Sequence, residues 1–535
     1  TNTGVKYVVI RTLETTEGKM AMMATKWMAT AASIWIQCTS GSSYTFGIYS
    51  PVLKSTQGYT QSDLDVVSVF KDIGANVGFL SGLLLSAVPD RPWVVLLAGA
   101  VQSCFGYFMI WASVTGLVGQ PPLWVMCIYI LVAAHAQTFF NTANVVCGVR
   151  NFGDYGGTIV GILKGFVGIS GAILIQFYNA VCKGDPTTYI LLLALTPTVS
   201  SILFMGLVRA YEYREAIGDV KKYLNEFSVV ALIIAAYLAV LIVLDNFFPL
   251  PTWSSGANFS FMILFIFVSS INIAIRAHRD EANKLSGTLF EGRDSRTTVG
   301  YSVLPRDEDQ PRPKKITQDF DILRALTSLN FWLLFGVMFC ALGSGVATVN
   351  NISQIGQSLN YETVDIKSLV SLWSIWNFLG RFGAGYISDV LLHRCGVSRP
   401  VSMVVTLVFL AIGHTVIASG FRWNLYLGSF IVGVAYGSQW SLMPTISSEI
   451  FGVTHLGTIF NTIAIASPLG SYMCSVKVIG YLYDKEATDG YCYGTKCFMS
   501  SFLILAGVAV VGLLLALVLY YRTRRFYNSV VHVRP

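Results

Sequence analysis

Charged residues are scarce in this chain: Asp, Glu, Lys and Arg make up 12% of its 535 residues. An average soluble domain has about 25%. Hydrophobic residues make up 54%, and the mean hydropathy is +0.59. This scarcity excludes intrinsic disorder, which requires high charge and few apolar residues. It also excludes a water-soluble enzyme, because so much apolar surface could not be buried inside a chain of this length.

The apolar residues are grouped in long blocks, and a helix that spans a membrane needs roughly 20 of them. The blocks predict an all-α polytopic membrane protein with fourteen spans. These are Trp27–Ser50, Leu64–Val88, Pro92–Val114, Pro122–Val149, Tyr155–Val181, Thr188–Val208, Phe227–Phe247, Phe259–Ile275, Phe331–Asn350, Lys367–Asp389, Pro400–Ser419, Asn424–Glu449, Thr454–Tyr483 and Phe498–Tyr521.

The distribution of Lys and Arg predicts the orientation of the chain. With a cytoplasmic N-terminus, the inner segments hold 26 of the 36 basic residues and the outer segments hold 6. The net charge of +7 therefore reflects membrane topology and not a nucleic-acid partner. We expect a multi-pass protein with both termini in the cytoplasm, in the plasma membrane in preference to an endomembrane.

The order of the spans predicts six regions. They are a cytoplasmic segment (1–26), a six-helix bundle (27–208), a linker with two extra helices (209–275), a polar cytoplasmic linker (276–326), a second six-helix bundle (327–521) and a cytoplasmic tail (522–535). The 276–326 linker lacks apolar periodicity, so we expect a flexible tether; the alternative is a docking segment for a regulatory partner.

The two six-helix blocks repeat each other at offsets of 299 to 303 residues. The matches are Val66–Phe70 with Leu369–Trp373, Gly82 with Gly385, Phe152-Gly153 with Phe451-Gly452, and Gly157–Ile159 with Gly457–Ile459. Two parallel six-helix repeats are typical of the major facilitator fold, with the substrate at the midplane between them. The seventh and eighth spans are then an insertion.

Several long strings also resemble a known family. They are SSYTFGIYS (42–50), QGYTQSDLDVVSVFKDIGANVGFLSGLL (57–84), QTFFNTANVVCGVRNF (137–152) and GGTIVGILKGFVGISGAI (156–173). These strings resemble the plant nodulin-like branch of the major facilitator superfamily, of the nuclear-fusion-defective type. The second half, chiefly through GRFGAGYISD (380–389), is more distantly similar to oxalate/formate antiporters and monocarboxylate transporters.

Ionisable residues deep inside predicted spans are candidates for function, because they are costly to place there. They are Lys71, Asp72, His135, Lys164, Arg381 and Lys477. Basic groups outnumber acidic ones in this set, which favours an anionic substrate. Lys71 and Lys164 are candidate substrate contacts, but either could instead form an ion pair, Lys164 with Asp72. Asp72 and His135 are candidates for proton coupling, with a hydrogen-bonded packing role as the alternative for His135.

Uncharged polar side chains form stripes on two spans. Gln137, Asn141 and Asn144 share one face of the fourth span, and Gln37 and Tyr44 share one face of the first. Such stripes face protein or water rather than lipid. They predict either the lining of a substrate cavity or hydrogen bonds between helices.

The family resemblance implies two further substrate residues. The oxalate/formate and monocarboxylate carriers place basic residues on the helices that correspond to those of Arg381 and Lys477. We therefore expect these two residues to form the anion site. The alternative for Arg381 is an ion pair with Asp389 at the cytoplasmic gate.

Small residues at intervals of three or four on the fifth span, Gly157, Gly161 and Gly165, predict a close approach between helices, either for sliding or for static packing. We also assign gating roles to three charged residues at predicted cytoplasmic ends of spans, Arg150, Asp389 and Glu449.

Most of the ten cysteines lie in spans, but Cys492 and Cys497 share a predicted outer loop and are expected to form a disulfide if that side is oxidising. The sequence contains no P-loop, metal-ligand cluster or nucleophile–base pair with recognisable spacing, so we expect neither an enzyme nor a cofactor or metal.

These features together predict a secondary transporter that moves a small solute by alternating access, with an organic anion as the favoured substrate and protons as a candidate co-substrate. The alternative is a scaffold or receptor with a carrier fold, which would act through the 276–326 linker and show no flux.

The topology can be tested with epitope tags on both termini. Because the fourteen spans form an even number and basic residues favour the inner side, both tags should be inaccessible to antibody on intact cells and accessible after permeabilisation. A tag that is labelled on intact cells would contradict the span count, most directly at 227–275.

Overall fold

The computed structural model describes residues 25–182, 184–211, 219–247, 252–294, 319–421, 423–487 and 492–532. Over these ranges the protein is helical. The first ten helices are α1 Lys26–Thr39, α2 Phe46–Gln57, α3 Gln61–Asn76, α4 Phe79–Ala87, α5 Pro92–Val114, α6 Leu123–Asn151, α7 Gly156–Phe177, α8 Pro186–Phe204, α9 Val220–Phe247 and α10 Thr252–Asp294. The others are α11 Ile322–Thr327, α12 Leu329–Ser358, α13 Thr363–Cys395, α14 Arg399–Ser419, α15 Asn424–Phe451, α16 Leu456–Ala464, α17 Ala466–Ser471, α18 Tyr481–Glu486 and α19 Lys496–His532.

Three of the predicted spans are broken helices. The first consists of α1, a 3₁₀ turn at Ser42–Thr45 and α2, and the second of α3 and α4, which meet at Val77-Gly78. The thirteenth consists of α16, α17, a π-helical stretch at Tyr472–Gly480 and α18. Non-helical backbone at membrane depth occurs where it is buried in protein or lines a cavity. The 3₁₀ turn fits this rule, since Ser42, Ser43 and Thr45 are buried, whereas the π-helical stretch exposes Tyr472 and Met473.

Eleven helices in the described ranges are long and apolar enough to cross a membrane. The three predicted spans outside this set are those of α1–α2, α13 and α15. The first is interrupted by the 3₁₀ turn, and α13 contains Arg381 and Asp389 together with other charged residues. The all-α membrane fold is confirmed, and the number fourteen stays a prediction.

We call α1–α8 the N-bundle and α12–α19 the C-bundle. They meet along two pairs of helices: α7 packs against α13, and α4 packs against α16. Within the bundles the main pairs are α5 with α6 and α13 with α15. The inserted helices lie to one side, where α10 packs on α1 and α9 contacts both α7 and α13.

The 276–326 linker departs from the flexible tether that we expected. Helix α10 continues through its first part to Asp294, and α11 lies near its end. The charges of this part make specific contacts with α1 and α9: Lys26 Nζ lies 2.8 Å from Glu281 Oε1, and Arg276 Nη2 lies 2.6 Å from Glu226 Oε2. With Arg276 and Glu281 paired in this way, the polar start of the linker continues helix α10. Residues 295–318 lie outside the described ranges.

Two further observations concern the C-terminal region. Cys492 and Cys497 are joined by a disulfide bond. The expected tail, 522–535, is not separate from the last span, because α19 continues to His532. Its Tyr527 side chain is buried and donates a hydrogen bond to Glu449 Oε2 at 2.7 Å, which holds the end of the helix against the C-bundle.

Candidate functional site

A cavity lies between the two bundles at the level of the helix breaks. The space between its side chains, including its mouth, amounts to about 420 Å³. Its lining comes from both bundles and consists of Tyr44, Ala75, Asn76, Gln137, Thr138, Asn141, Lys164, Val167, Arg381, Trp440, Phe460, Asn461 and Ala464. A cavity built from both bundles at mid-depth is the arrangement that the internal repeat predicts for a substrate site.

Two buried cations lie side by side in this cavity. Lys164 is 3% exposed and Arg381 is 2% exposed. Both lie over the ring of Trp440, with Lys164 Nζ 5.2 Å and Arg381 Cζ 5.7 Å from its centroid. Lys164 Nζ also lies 5.4 Å from the ring of Phe460. The aromatic faces partly compensate the two positive charges.

The Arg381 guanidinium is held in place by three hydrogen bonds. Its Nε donates to Asn377 Oδ1 at 2.9 Å, one turn earlier on α13. The other two bonds cross to the N-bundle, from Nη1 to the backbone oxygen of Lys164 and from Nη2 to Tyr44 Oη, both at 3.2 Å. The alternative of an ion pair between Arg381 and Asp389 is therefore not found, since Asp389 pairs with Arg399 instead.

Several predicted substrate residues lie together in the cavity, and others do not. Tyr44, Gln137, Asn141, Lys164 and Arg381 line it. Gln37 and Asn144 are fully buried in helix packing outside the lining. Lys71 forms an ion pair of 3.0 Å with its neighbour Asp72 and so leaves Lys164 without the acidic partner considered above.

Lys477 is the main correction to the expected anion site. It is exposed on the π-helical stretch, its Nζ lies 5.7 Å from the ring of Tyr472, and it does not belong to the cavity lining. The residue beside Arg381 is Lys164. His135 is also outside the lining, and its Nδ1 lies 2.8 Å from Gln102 Oε1 of α5.

The glycines predicted to allow close approach lie where α7 crosses α13. A Cβ added to Gly157 would lie 2.6 Å from the backbone oxygen of Gly385. A Cβ on Gly161 would lie 3.0 Å from the backbone oxygen of Phe382, and one on Gly165 would lie 3.0 Å from the ring of Phe378. The close contact between the bundles therefore depends on glycine at these positions of α7, because any larger residue would collide with α13.

Asp389 closes this crossing on the predicted cytoplasmic side. Its carboxylate accepts hydrogen bonds from Gly157 N at 3.1 Å, Thr158 N at 2.5 Å and Thr158 Oγ1 at 2.6 Å. These amides belong to the first turn of α7, whose N–H groups have no partner within the helix. An acid from the C-bundle thus caps a helix of the N-bundle, which is a favourable arrangement at the positive end of a helix dipole.

Arg399 connects Asp389 to Glu449. Its Nη1 lies 2.6 Å from Asp389 Oδ1 and its Nε lies 2.6 Å from Glu449 Oε1, and it is 1% exposed. Arg150, the remaining residue with a predicted gating role, donates from Nη1 to the backbone oxygen of Pro89 and from Nη2 to that of Thr454, both at 3.2 Å. The second of these bonds joins the two bundles.

Sequence reasoning missed several residues of the site, and five of them matter most for its chemistry. Trp440, Phe460 and Asn461 line the cavity, Thr158 binds Asp389, and Arg399 buries its charge between two acids. Aromatic residues within apolar spans give no signal of their own. For Arg399, the signal was its position just after the GRFGAGYISD string, at the start of the next span.

Comparison with known proteins agrees with this architecture. Residues 26–275 match the family model described as Nodulin-like, and residues 315–529 match the model described as NFD4, C-terminal domain. The chain is 25% identical to Protein NUCLEAR FUSION DEFECTIVE 4 of Arabidopsis thaliana, over 94% of this chain and 90% of that protein. It is 24% identical to a probable transporter, mch1, of Emericella nidulans, over 87% and 81% of the two chains.

Solved structures show the same fold at low identity. The proton:xylose symporter XylE is 12% identical, with a TM-score of 0.52, over 91% of this chain and 94% of that chain. The human organic anion transporter MFSD10 is 11% identical, with a TM-score of 0.51, over 92% and 98%. These likenesses confirm the major facilitator fold.

The α7–α13 crossing can be tested with two alanines on one helix. A Cβ at Gly385 would lie 2.3 Å from the backbone oxygen of Gly157, whereas one at Gly383 would have no neighbour within 4 Å. Gly385→Ala should therefore lower stability by about 1–3 kcal/mol, as overpacking does. The measurement is thermal unfolding of the purified proteins, and Gly383→Ala, with the same gain in helix propensity, is the matched control. Equal melting temperatures for both variants would contradict the close contact.

Proposed function

This chain belongs to the nodulin-like branch of the major facilitator superfamily, and we propose that it carries a small organic anion across the membrane by alternating access. It is a membrane transporter and not an enzyme, in agreement with its fungal relatives that are named as probable transporters. The single observation that carries the choice of an anion is the pair of buried cations, Lys164 and Arg381.

The charge balance of the cavity supports an anionic substrate. Within the described ranges, neither Lys164 nor Arg381 lies within salt-bridge distance of a carboxylate. Two like charges in a site of low dielectric repel each other strongly, and burial removes the water that would screen them. An anion between them would relieve both the repulsion and the loss of hydration.

The geometry of Arg381 supports a carboxylate in particular. Guanidinium has five N–H donors in a planar fork, and the three bonds to Asn377, Lys164 and Tyr44 leave two of them. A carboxylate can accept hydrogen bonds from the two remaining N–H groups, while the ammonium of Lys164 supplies a compact positive charge beside them. Two cations match a dicarboxylate, or a monocarboxylate bound together with a proton.

The rest of the lining supports an organic rather than an inorganic anion. Trp440 and Phe460 provide apolar faces, and the amides of Asn76, Gln137 and Asn141 can bind hydroxyl or carbonyl groups. A site with apolar walls and a few convergent polar groups is typical for small organic molecules. Tyr44, at 44% exposure, lies at the mouth.

Arg381 and Asp389 also relate the site to gating, because both lie on α13 and both bind α7. Alternating access requires the bundles to separate on this side, which breaks the Asp389 cap and draws Arg381 away from the backbone of Lys164. The substrate cations and the gate would then move together. We propose that Arg150 and Glu449 take part in this gate through the contacts described above.

The anion site can be tested by removing one charge at a time. Lys164→Met keeps an unbranched side chain against Trp440 and Phe460 but lacks the ammonium. It should weaken binding by about 1.5–3 kcal/mol, the range for a hydrogen bond to a charged group, and hence roughly 10- to 150-fold. Arg381→Lys keeps the charge but lacks the fork, and should strongly impair transport. Affinity is measured by thermal shift with a panel of mono- and dicarboxylates, and transport by counterflow in proteoliposomes.

The matched control is Lys477→Met, which removes an exposed cation outside the cavity and should leave affinity unchanged. Melting temperatures without ligand separate loss of binding from loss of folding. Normal binding and counterflow in folded Lys164→Met and Arg381→Lys would refute the anion site. A response to neutral sugars in place of carboxylates would refute the choice of substrate class.

Asp72 is the acidic group that we propose for proton coupling. It lies beside Lys71 on α3, and its backbone oxygen accepts a hydrogen bond of 2.8 Å from Asn76 Nδ2 of the cavity lining. His135 was the other candidate, but it contacts Gln102 outside the lining.

Asp72→Asn would replace the titratable group by a neutral one of similar shape. It should abolish uptake driven by a pH gradient while substrate counterflow, which needs no net proton movement, persists. Both fluxes are measured in the same proteoliposomes, with His135→Gln as the control that should retain both. Gradient-driven uptake by Asp72→Asn at the normal rate would exclude this role.

A further inference from the structure

The two contacts between the bundles on the Asp389 side are related by the internal repeat. An offset of 303 residues superposes α4 on α13, and an offset of 300 superposes α7 on α16. The α4–α16 contact is thus the counterpart of the α7–α13 contact. Both are equally tight at glycine: a Cβ on Gly82 would lie 2.5 Å from Thr458 N, as one on Gly385 would lie 2.3 Å from the Gly157 oxygen.

The chemistry at the two contacts is different. Under the same offsets Ser86 corresponds to Asp389, and Thr458 corresponds to Thr158. Where Asp389 accepts three hydrogen bonds from the start of α7, Ser86 shares a single bond of 3.0 Å between its hydroxyl and that of Thr458. The α16 end of the gate therefore lacks the carboxylate that caps α7.

The charged residues around the two contacts also differ, and again the acidic partners are on the α7–α13 side. Glu449, which binds Arg399, corresponds at an offset of 299 to Arg150, which binds backbone oxygens of Pro89 and Thr454. Arg399 itself corresponds to Arg91, since each directly precedes a proline at the start of the next helix, Pro400 and Pro92. Arg399 is buried between two acids, whereas Arg91 is exposed.

The neutral contact has one further component nearer the cavity. Asn461 of α16 donates from Nδ2 to Thr142 Oγ1 at 2.7 Å and, more weakly, to Ser81 Oγ at 3.4 Å. These are bonds between uncharged groups, which are about half as strong as those to an ionised acceptor. From the cavity to Ser86, the α4–α16 contact is therefore held by neutral groups, and Arg150 adds one bond from an ionised donor to the Thr454 backbone oxygen beyond them.

We propose that the gate on the Asp389 side opens unequally, first at the neutral α4–α16 contact, while the Asp389 carboxylate holds α7 and α13 together for longer. This inference rests on the proposed alternating access and adds an order of events to it. The α7–α13 contact must lose three hydrogen bonds to a buried, ion-paired carboxylate. The α4–α16 contact must lose hydroxyl and amide bonds and the exposed bond from Arg150 to a backbone oxygen, which water can replace.

The experiment measures both contacts in the same protein with pairs of spin labels. Asp90→Cys with Thr454→Cys reports on α4–α16, because Arg150 bonds to both Pro89 and Thr454. Gly153→Cys with Arg394→Cys reports on α7–α13, near the stacked rings of Tyr155 and His393. All four positions are exposed, and Cys104 and Cys395 are replaced by serine to give an unlabelled background.

In proteoliposomes, the α4–α16 pair should show a larger fraction of long distances than the α7–α13 pair. Ser86→Asp should place a carboxylate at the start of α16, lower the long-distance fraction at α4–α16 and slow counterflow about fivefold, the upper range for a charge at an exposed helix end. Ser86→Asn is the matched control of similar size without charge, and should behave like the parent protein.

Equal opening at both contacts in the parent protein would overturn the inference, and so would the same effect from Ser86→Asn as from Ser86→Asp. The first comparison needs no substitution at Ser86, so it stands even if Ser86→Asp fails to fold. Complete absence of opening together with absence of counterflow would instead reject the proposed function. Counterflow with equal opening would reject only the unequal gate.

Discussion

The close crossing of α7 and α13 is the constraint on which the rest of the molecule depends. With glycine at positions 157, 161 and 165, the backbones meet without intervening side chains. This brings Lys164 and Arg381 to the same aromatic ring, although one belongs to each bundle. It also brings the Asp389 carboxylate within reach of the first amides of α7. A larger side chain at the crossing would separate the two cations and the cap together.

Because the site and the latch share one pair of helices, their energies are connected. Burial of two cations without a carboxylate is unfavourable, and the hydrogen bonds from Arg381 to Lys164 and Tyr44 offset part of that cost by fixing the guanidinium. These bonds join the bundles at the cavity, as Asp389 joins them further along the same helix. A bound anion would compensate the same charges, so occupancy of the cavity and closure of the gate act on the same groups.

The architecture could be predicted from the sequence because its signals are local or repeated. Apolar blocks identify the spans, and a shared offset between the halves identifies the major facilitator fold. The glycine stripe and Arg381 were also within reach, since spacing and charge inside a span are visible in the chain. The two inserted helices were predicted because they are the two spans left over between the repeated six-helix blocks.

The composition of the site could not be predicted in full, because it depends on contacts between distant residues. Lys164 and Arg381 are 217 positions apart, and only the crossing angle of their helices decides that they share Trp440. Lys477 was chosen from the corresponding helix, but it lies on a π-helical stretch and its side chain is exposed. The 276–294 region appeared to be a tether because it lacks apolar periodicity, yet its Glu281 and Arg276 side chains pair with α1 and α9.

The inserted helices add a second asymmetry to a repeat that would otherwise be nearly symmetric. Trp35 of α1 stacks on Phe267 of α10 at 4.3 Å between ring centroids, and its Nε1 donates to Ser270 Oγ at 2.8 Å. These contacts fix the insertion to the N-bundle, while α9 reaches α7 and α13. The insertion thus lies along the same contact that Asp389 latches. The α7–α13 side combines a charged cap, the two buried cations and an added apolar wall, whereas the α4–α16 contact is closed by small neutral groups and the bond from Arg150 to Thr454. Divergence of the two halves has therefore concentrated charge and supporting contacts at α7–α13. The α4–α16 contact has fewer and weaker interactions to lose when the bundles separate.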